Sequence, residues 1–126
     1  MKTEPSIVAR TLLKDDIEIL PTIFDFPWLP RDKWIHYLQE QEQKIRTVCI
    51  VEKDHAPVGY GSLLRQSAYS NFREKGIPEI SDIWILEEEQ QKGLGTALIG
   101  HFEQMAKKEG YKTIGIGVGL YRDYGP

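Results

Sequence analysis

The sequence feature that most constrains the fold is a strand–helix–strand pattern in the C-terminal half of the chain. Residues 80–86 (ISDIWIL) and 113–120 (TIGIGVGL) have strand patterns, and residues 93–109 between them repeat apolar side chains at helical spacing on one face. Gly110 follows where a helix would end. A crossover of this length joins two parallel strands through a right-handed connection. The pattern therefore predicts a parallel strand pair within an α/β fold.

The N-terminal part adds three strands and two helices to this unit. The strands are predicted at residues 6–10, 45–51 and 58–64, and the helices at residues 15–24 and 31–43. Asp15 or Asp16 is available as the N-cap of the first helix, and Pro21 interrupts its pattern, which predicts that this helix is kinked or starts late. The short turn between the second and third strands predicts an antiparallel hairpin. The order β-α-α-β-β-β-α-β thus predicts a mixed, mostly antiparallel sheet with helices on its faces.

Composition and length limit the classes of function that are open to the chain. Its 126 residues, 40% of them hydrophobic and 28% charged, suit a single domain over residues 1–126 with an ordinary core. The one cysteine, Cys49, excludes an intramolecular disulfide and a multi-cysteine metal site. No apolar run approaches the ~20 residues that span a bilayer, no secretory signal is present, and a net charge of −3 gives no electrostatic reason to expect nucleic acid. We therefore expect a soluble, cytoplasmic protein that binds no nucleic acid, membrane or metal.

The segment at residues 90–95 (QQKGLG) has the form of an anion-binding site at the start of the last predicted helix. The first N–H groups of a helix lack partners within it, and the helix dipole leaves that end partly positive. Glycine there removes the Cβ atoms that would hold a phosphate away from the backbone, and Lys92 adds a positive charge. Glycines near a helix start equally serve turn geometry, and neither a P-loop nor a dinucleotide-binding glycine motif is present. Taken alone, the pattern leaves both interpretations open.

Together with the strand before it, this segment resembles motif A of the GNAT family of N-acetyltransferases. The motif (R/Q)-x-x-G-x-(G/A) is matched by Gln90, Gly93 and Gly95, and the predicted order of elements agrees with that fold as far as its fifth strand. The resemblance implies a GNAT-like α/β (α+β) fold and an acyl-CoA site, with acetyl-CoA as the cosubstrate. It also implies a β-bulge in the fourth strand, which frees backbone groups for the coenzyme. Gln90 stands where the family commonly has arginine, so a donor is kept but a charge is lost.

The resemblance assigns residues to two parts of the coenzyme site. Residues 91–96 would bind the pyrophosphate through loop and helix amides, and the backbone at residues 83–85 would hydrogen-bond the pantetheine arm. The full set of cofactor-binding residues is Ile83, Trp84, Ile85, Gln90, Gln91, Lys92, Gly93, Leu94, Gly95 and Thr96. Residues 87–89 (EEE) are expected to form a solvated turn that points away from the phosphates, because carboxylates facing them would oppose binding.

Candidate catalytic groups lie on the predicted fourth strand. Direct attack of an amine on a thioester needs a base for the amine proton and a donor for the developing oxyanion. Glu79 and Asp82 lie where family members often place a base, although strand-end carboxylates are also commonly just solvated. The resemblance implies that an amide N–H near Ile85, at the end of this strand, is the donor. An aromatic cluster, which comprises Phe24, Phe26, Trp28 and Trp34, is interpreted either as part of the acceptor site or as a hydrophobic lid packed on the core.

The sequence stops after the predicted fifth strand, whereas members of the family continue with a helix and two further strands. That helix commonly carries the tyrosine that protonates the leaving thiolate. We therefore expect a truncated polypeptide, a homodimer that completes its sheet through the open edge of the last strand, or a degenerate homologue. The expected function is acetyl transfer from acetyl-CoA to a small-molecule or protein amine. The alternative is a catalytically weak CoA-binding or interaction module on the same fold.

Overall fold

The computed structural model describes residues 6–65, 73–90 and 93–116, which form a five-stranded sheet with helices on both faces. The strands are β1 (Ile7–Thr11), β2 (Arg46–Lys53), β3 (Ala56–Leu64), β4 (Glu79–Ile85) and β5 (Gly115–Ile116). The α-helices are α1 (Leu20–Ile23), α2 (Arg31–Glu42) and α3 (Leu94–Lys108), and 3-10 helices cover Lys14–Glu18 and Glu87–Glu89. The predicted order of elements is confirmed; of the last predicted strand, residues 117–120 lie outside the described residues. None of the helices in these ranges is long and apolar enough to cross a membrane.

The order of strands in the sheet follows the chain from β1 to β5. Pairing is antiparallel up to β4, whereas β4 and β5 are parallel. The predicted hairpin of β2 and β3 is present, and its two-residue turn at Asp54 and His55 has positive φ at both positions, as a type I′ turn requires. α3 connects β4 to β5, where Glu79 pairs with Gly115. The predicted parallel unit is therefore confirmed.

The helix predicted at residues 15–24 is divided into the 3-10 helix Lys14–Glu18 and the short α1. The late start expected from Pro21 is confirmed, because α1 begins at Leu20, whereas a helix that spans all of residues 15–24 is wrong. Neither Asp15 nor Asp16 is the N-cap: the Asp16 carboxylate accepts a hydrogen bond from the Leu13 N–H at 2.7 Å and binds Arg10 through both oxygens. Burial disfavours the charge on Asp16, but the hydrogen bonds from Arg10 and Leu13 outweigh it and lower the pKa of this carboxyl. Pro21 then stands in the first turn of α1, where its missing N–H has no helical partner to lose.

The two faces of the sheet hold different cores because neighbouring strand residues point to opposite sides. The core on the α2 face comprises Leu12, Ile17, Leu20, Phe24, Leu29, Trp34, Tyr37, Val48, Ile50 and Tyr60. The core on the α3 face comprises Cys49, Val51, Val58, Leu63, Ile80, Ile85, Leu94, Leu98 and Phe102. Burial raises the pKa of the Cys49 thiol to about 12, which makes this side chain a small apolar core group. Most of the buried aromatic rings in the described ranges therefore lie on the α2 face.

Candidate functional site

A β-bulge interrupts the pairing of β3 with β4. Tyr60 lies opposite Trp84 and Ser62 lies opposite Ser81, so two steps along β3 correspond to three steps along β4. Within the extra step, Asp82 adopts the left-handed conformation at φ 57°, which side chains other than glycine rarely occupy. The bulge that the resemblance to motif A implies is therefore present.

The bulge sends neighbouring side chains to opposite faces of the sheet. Ile83 packs on the α3 face, opposite Gly61 of β3. A Cβ on Gly61 would lie 2.9 Å from Ile83 Cγ1 and 3.0 Å from Leu98 Cδ2, so only glycine lets α3 approach the bulge this closely. Asp82 and Trp84 lie on the α2 face, where they contact side chains of β2 and of the turn before α2.

Next to the bulge, a cavity of about 460 Å³ lies between the end of β4 and the start of α3. Every described residue that was expected to bind the coenzyme lines this cavity, namely Ile83, Trp84, Ile85, Gln90, Gly93, Leu94, Gly95 and Thr96. Gln91 and Lys92 lie outside the described residues. Glu89 and Ile99 line the cavity too, although no motif singles them out. Helical spacing could have found Ile99, because it lies four residues after Gly95 on the same helix face.

α3 begins at the cavity without a side-chain cap from the described residues. Its N-cap residue, Gly93, has φ 76°, a conformation that glycine adopts without strain. A Cβ on Gly95 would meet no protein atom within 4 Å. The folded chain therefore has room for a side chain at position 95, and glycine there leaves a space that a ligand could fill. Because the first N–H groups of a helix are unpaired and partly positive, this space suits an anion.

Two side chains of the turn between β4 and α3 differ from the expectations. Within Glu87–Glu89, the first two residues are exposed, but Glu89 is half-buried and lines the cavity. The expectation that all three carboxylates point away is therefore wrong for Glu89, whose Oε1 lies 3.0 Å from Lys53 Nζ. This ion pair reduces the repulsion that an anion in the cavity would meet. Gln90 donates from Nε2 to the Ile85 carbonyl at 3.1 Å, so its amide ties the turn to the end of β4.

On the α2 face, Asp82 belongs to a hydrogen-bonded network centred on Arg46 of β2. Arg46 Nη1 donates to Asp82 Oδ2 at 3.3 Å and to Ser62 Oγ at 2.8 Å. Its Nε donates to Glu40 Oε1 at 2.7 Å, and its guanidinium carbon lies 4.5 Å from the centroid of the Tyr37 ring. Arg46 thus shares one positive charge between two carboxylates, while the Asp82 side chain stays 46% exposed. Across residues 6–65, 73–90 and 93–116, no three His, Cys, Asp or Glu side chains come together as a metal site.

Two buried tyrosines adjoin this network. Burial raises the pKa of Tyr37 to about 12, and the charge of Asp82 adds to the rise. Burial also raises the pKa of Tyr60 to about 12, against a hydrogen bond with the Trp28 side chain that acts to lower it. Both phenols therefore keep their protons near neutral pH and do not act as bases.

The arrangement of a bulged fourth strand and a glycine-led helix has a counterpart among known families. A model of the GNAT acetyltransferase family matches residues 13–124. The chain belongs to the GNAT family. It is therefore an N-acetyltransferase that uses an acyl-CoA donor. Among curated proteins, none matches the chain at a significant level.

Several solved structures are similar to this GNAT protein in fold. AAC(6')-Iy, an aminoglycoside N-acetyltransferase in complex with the bisubstrate analogue CoA-S-monomethyl-acetylneamine, gives a TM-score of 0.74 at 16% identity, with 90% of this chain and 80% of that chain covered. A GNAT family acetyltransferase from Staphylococcus aureus gives 0.65 at 22% identity, with 94% and 91% covered. Glucosamine-6-phosphate N-acetyltransferase from Arabidopsis thaliana gives 0.64 at 15% identity, with 93% and 85% covered. At these identities the likeness establishes the GNAT fold alone.

Of the two carboxylates singled out by the resemblance to GNAT enzymes, Asp82 is the accessible one. Glu79 is only 2% exposed and lies opposite Leu64 of β3 and Gly115 of β5. Glu79 lies two residues before Ser81, where the bulge begins, whereas Asp82 lies within the bulge. Asp82 is therefore open to solvent, whereas Glu79 is not.

The aromatic cluster has a buried part and an exposed part. Phe24 and Trp34 are completely buried in the core on the α2 face. Trp28 is 54% exposed, and its ring stacks on Phe26 with the centroids 4.6 Å apart. Trp84 is 37% exposed and meets Phe26 at 5.4 Å and Trp28 at 5.6 Å, edge to face. Phe26, Trp28 and Trp84 thus form an exposed group, which we call the aromatic wall.

Proposed function

We propose that this GNAT protein transfers an acetyl group from acetyl-CoA to an amine at the β4 bulge. The observation that supports this proposal most is the convergence of motif A and the end of β4 on one cavity of about 460 Å³. In this arrangement the coenzyme phosphates would lie at the start of α3 and the pantetheine arm along β4. The acceptor amine would approach from the α2 face, where Asp82 is exposed.

The start of α3 is the proposed pyrophosphate site. A helix start favours phosphate through its unpaired N–H groups and its dipole. Gly93 and Gly95 leave open the space in which a phosphate would contact these groups. The ion pair of Lys53 with Glu89 reduces the negative potential at this end of the cavity. The other residues proposed for the pyrophosphate are Gln91, Lys92, Leu94 and Thr96.

The end of β4 is the proposed pantetheine site. The described pairing of β4 with β5 involves residues 79–80, so the backbone of Ile83 and Trp84 lies beyond those pairs. The Ile85 carbonyl already accepts a hydrogen bond from Gln90, which we propose holds the turn in the shape that the coenzyme needs. Backbone groups released by a bulge can pair with an extended ligand as they would with another strand.

The acetyl transfer requires the amine nitrogen to attack the thioester carbonyl carbon. The C–N bond forms, the C–S bond breaks with its electron pair on sulfur, and the products are an N-acetylamine and the CoA thiol. We assign to Asp82 the acceptance of the amine proton, since its carboxylate is exposed and held by Arg46. Asp82 accepts one proton from the amine and the thiolate takes up one proton from solvent, so the number of protons balances. The Ile85 N–H is the proposed donor to the carbonyl oxygen as negative charge develops on it.

Calorimetric titration of acetyl-CoA into the wild-type chain and two tryptophan variants tests the coenzyme site. Gly95→Trp places a large side chain in the proposed phosphate site, and Gly100→Trp places the same side chain further along α3, where the space is also open. We expect saturable binding by the wild type, an affinity lower by about tenfold or more for Gly95→Trp, and an unchanged affinity for Gly100→Trp. Release of free thiol in the presence of a primary amine then measures acetyl transfer.

Two outcomes would contradict the proposal in different ways. Equal affinities for Gly95→Trp and the wild type would place the phosphates away from the start of α3. A folded wild-type chain that shows no saturable binding would contradict the proposed donor site as a whole. Circular dichroism on the same samples distinguishes the second outcome from a loss of fold.

A further inference from the structure

We propose that the aromatic wall selects acceptors in which the amine is joined by a short alkyl linker to a flat aromatic ring. This inference rests on the proposed acetyl transfer and names the class of its acceptor. An arylalkylamine of this kind would place its ring on Trp28 and its amine near Asp82. The inference follows from the arrangement of the rings, from the order of the turn that carries them, and from their position beside the cavity.

The arrangement of the rings leaves a place for one further ring. Phe26 and Trp28 stack almost in parallel, with an interplanar angle of 7°. Because Phe26 covers one face of Trp28 and the indole is still 54% exposed, its other face is open to solvent. Both stacked rings meet Trp84 at an angle of 69°. A third ring on the open face of Trp28 would extend the stack in the offset geometry that aromatic pairs prefer.

The wall is ordered before an acceptor arrives. The Trp28 side chain lies against the Tyr60 hydroxyl, and Tyr60 belongs to the core on the α2 face. Leu29, the next residue, is buried in the same core, and its N–H donates to the Phe26 carbonyl at 3.0 Å. A binding surface whose side chains are already fixed loses little conformational entropy when a ligand binds. The wall therefore has the order that selection between similar ligands requires.

The wall is continuous with the proposed coenzyme site. Trp84 lines the 460 Å³ cavity and is also the third ring of the wall. Asp82 lies two residues before Trp84, on the same face of the bulged strand, and its carboxylate is complementary in charge to an ammonium group. Indole faces attract an ammonium ion as well. A flat ring on the wall, with an amine one short linker away, thus fits both the aromatic and the charged part of this surface.

Steady-state acetylation of a matched pair of amines tests the selectivity. 2-Phenylethylamine and 2-cyclohexylethylamine have the same linker and the same amine, and they differ in whether the six-membered ring is flat. With acetyl-CoA and the wild-type chain we expect kcat/KM to favour the phenyl compound by about tenfold, mainly through KM. Trp28→Ala should reduce this preference to about twofold or less, whereas Trp28→Phe, which keeps a flat ring, should retain most of it.

Ile19 offers a matched control, because it is as exposed as Trp28, at 54%, and lies outside the wall. Ile19→Ala is expected to leave the preference for the phenyl compound unchanged. If Trp28→Ala fails to fold, Trp28→Leu is the second variant, since leucine keeps apolar bulk without a flat ring. The expected loss of preference is the same for this variant.

Several results would overturn the inference. Two results would show that the wall does not select the acceptor: acetylation of both amines with no preference in the wild type, or the same preference in Trp28→Ala as in the wild type. Neither result would contradict the proposed acetyl transfer. Failure of the wild type to bind acetyl-CoA by calorimetry would overturn the inference together with the proposed function. A dimer in light scattering that Trp28→Ala dissociates would show that a second copy covers the wall, which also overturns it.

Discussion

On the α3 face of β4, the proposed coenzyme site is bounded by glycines, backbone and mostly aliphatic side chains within residues 83–99. On the α2 face, the proposed acceptor site combines charged and aromatic side chains from the turn before α2, from α2 itself and from three strands. The coenzyme side needs a helix start and a strand end, which many sequences can form. The acceptor side depends on individual side chains. We therefore expect the α3 face to tolerate substitution except where a bulky side chain fills the cavity, and the α2 face to lose activity or stability when single side chains are replaced.

Asp82→Asn is the substitution expected to show the largest difference between the two faces, because it should lower the rate of acetyl transfer without changing coenzyme binding. Asparagine tolerates the left-handed conformation at this position and keeps the size of the side chain, but it cannot accept the amine proton. We expect kcat to fall by about 10²–10⁴. Calorimetry should give the wild-type affinity for acetyl-CoA, because the cavity is bounded by other residues. A variant that retains most of the wild-type kcat would remove Asp82 from the proposed chemistry.

Within the α2 face, Trp34 and Trp28 should respond differently to the same truncation. Trp34 is completely buried, with its ring 6.1 Å from Phe24 and 5.4 Å from Tyr60, so Trp34→Ala is expected to lower the free energy of unfolding by about 3–5 kcal/mol. Trp28→Ala should lower it by less than about 1 kcal/mol, since the indole is mostly exposed. Urea unfolding of both variants measures the two values. Equal destabilisation would mean that Trp28 belongs to the core and that its exposure is not reserved for a ligand.

The different construction of the two faces explains which residues could be predicted from the sequence. The residues around the cavity are close together in the chain, so one glycine motif and one strand pattern were sufficient to find most of them. Arg46 and Asp82 are 36 residues apart, and their contact depends on how β2, β3 and β4 align across the bulge. Trp84 shows the same limit, because its position suggested a backbone role and only the fold brings its ring to Trp28.

The errors in the sequence-based expectations have a more local cause. Asp16 forms hydrogen bonds with Leu13 and Arg10, and these bonds begin a 3-10 helix where hydrophobic spacing alone predicts the first turn of an α-helix. Glu89 turns toward the cavity because Lys53, on β2, lies within reach of its carboxylate. Each of these side chains has several partners within reach, and the periodicity of apolar residues does not predict which partner it pairs with.

The charges on the α2 side also predict a dependence of stability on pH. Asp16 lies in the segment that packs on the α2 face, and its pKa is lowered in the folded chain despite burial, through Arg10 and Leu13. The ionised carboxylate therefore stabilises the fold above the ordinary aspartate pKa, near pH 4, and this contribution is lost as the pH falls through the folded value. We expect Asp16→Asn to cost about 1–2 kcal/mol at about pH 7 and clearly less at about pH 2. Urea unfolding at the two pH values measures this, and a cost that does not change with pH would contradict the assigned role.

The smallest expected effect concerns two glycines of α3, and it tests whether glycine at position 95 serves the ligand or the fold. Neither Gly95 nor Gly100 has a positive φ, and a Cβ on either would meet no atom within 4 Å outside its own stretch of helix. Alanine favours a helix over glycine by about 0.5–1 kcal/mol, so Gly95→Ala and Gly100→Ala should both raise the urea midpoint, Gly95→Ala by less because it lies in the first turn. A glycine whose replacement by alanine stabilises the chain, and whose replacement by tryptophan weakens acetyl-CoA binding, is not required by the fold and leaves its space for the ligand. That combination at position 95 alone would support a coenzyme site formed by backbone on the α3 face. Destabilisation by Gly95→Ala would instead assign this glycine to the fold, and the contrast between the two faces of β4 would lose its strongest support.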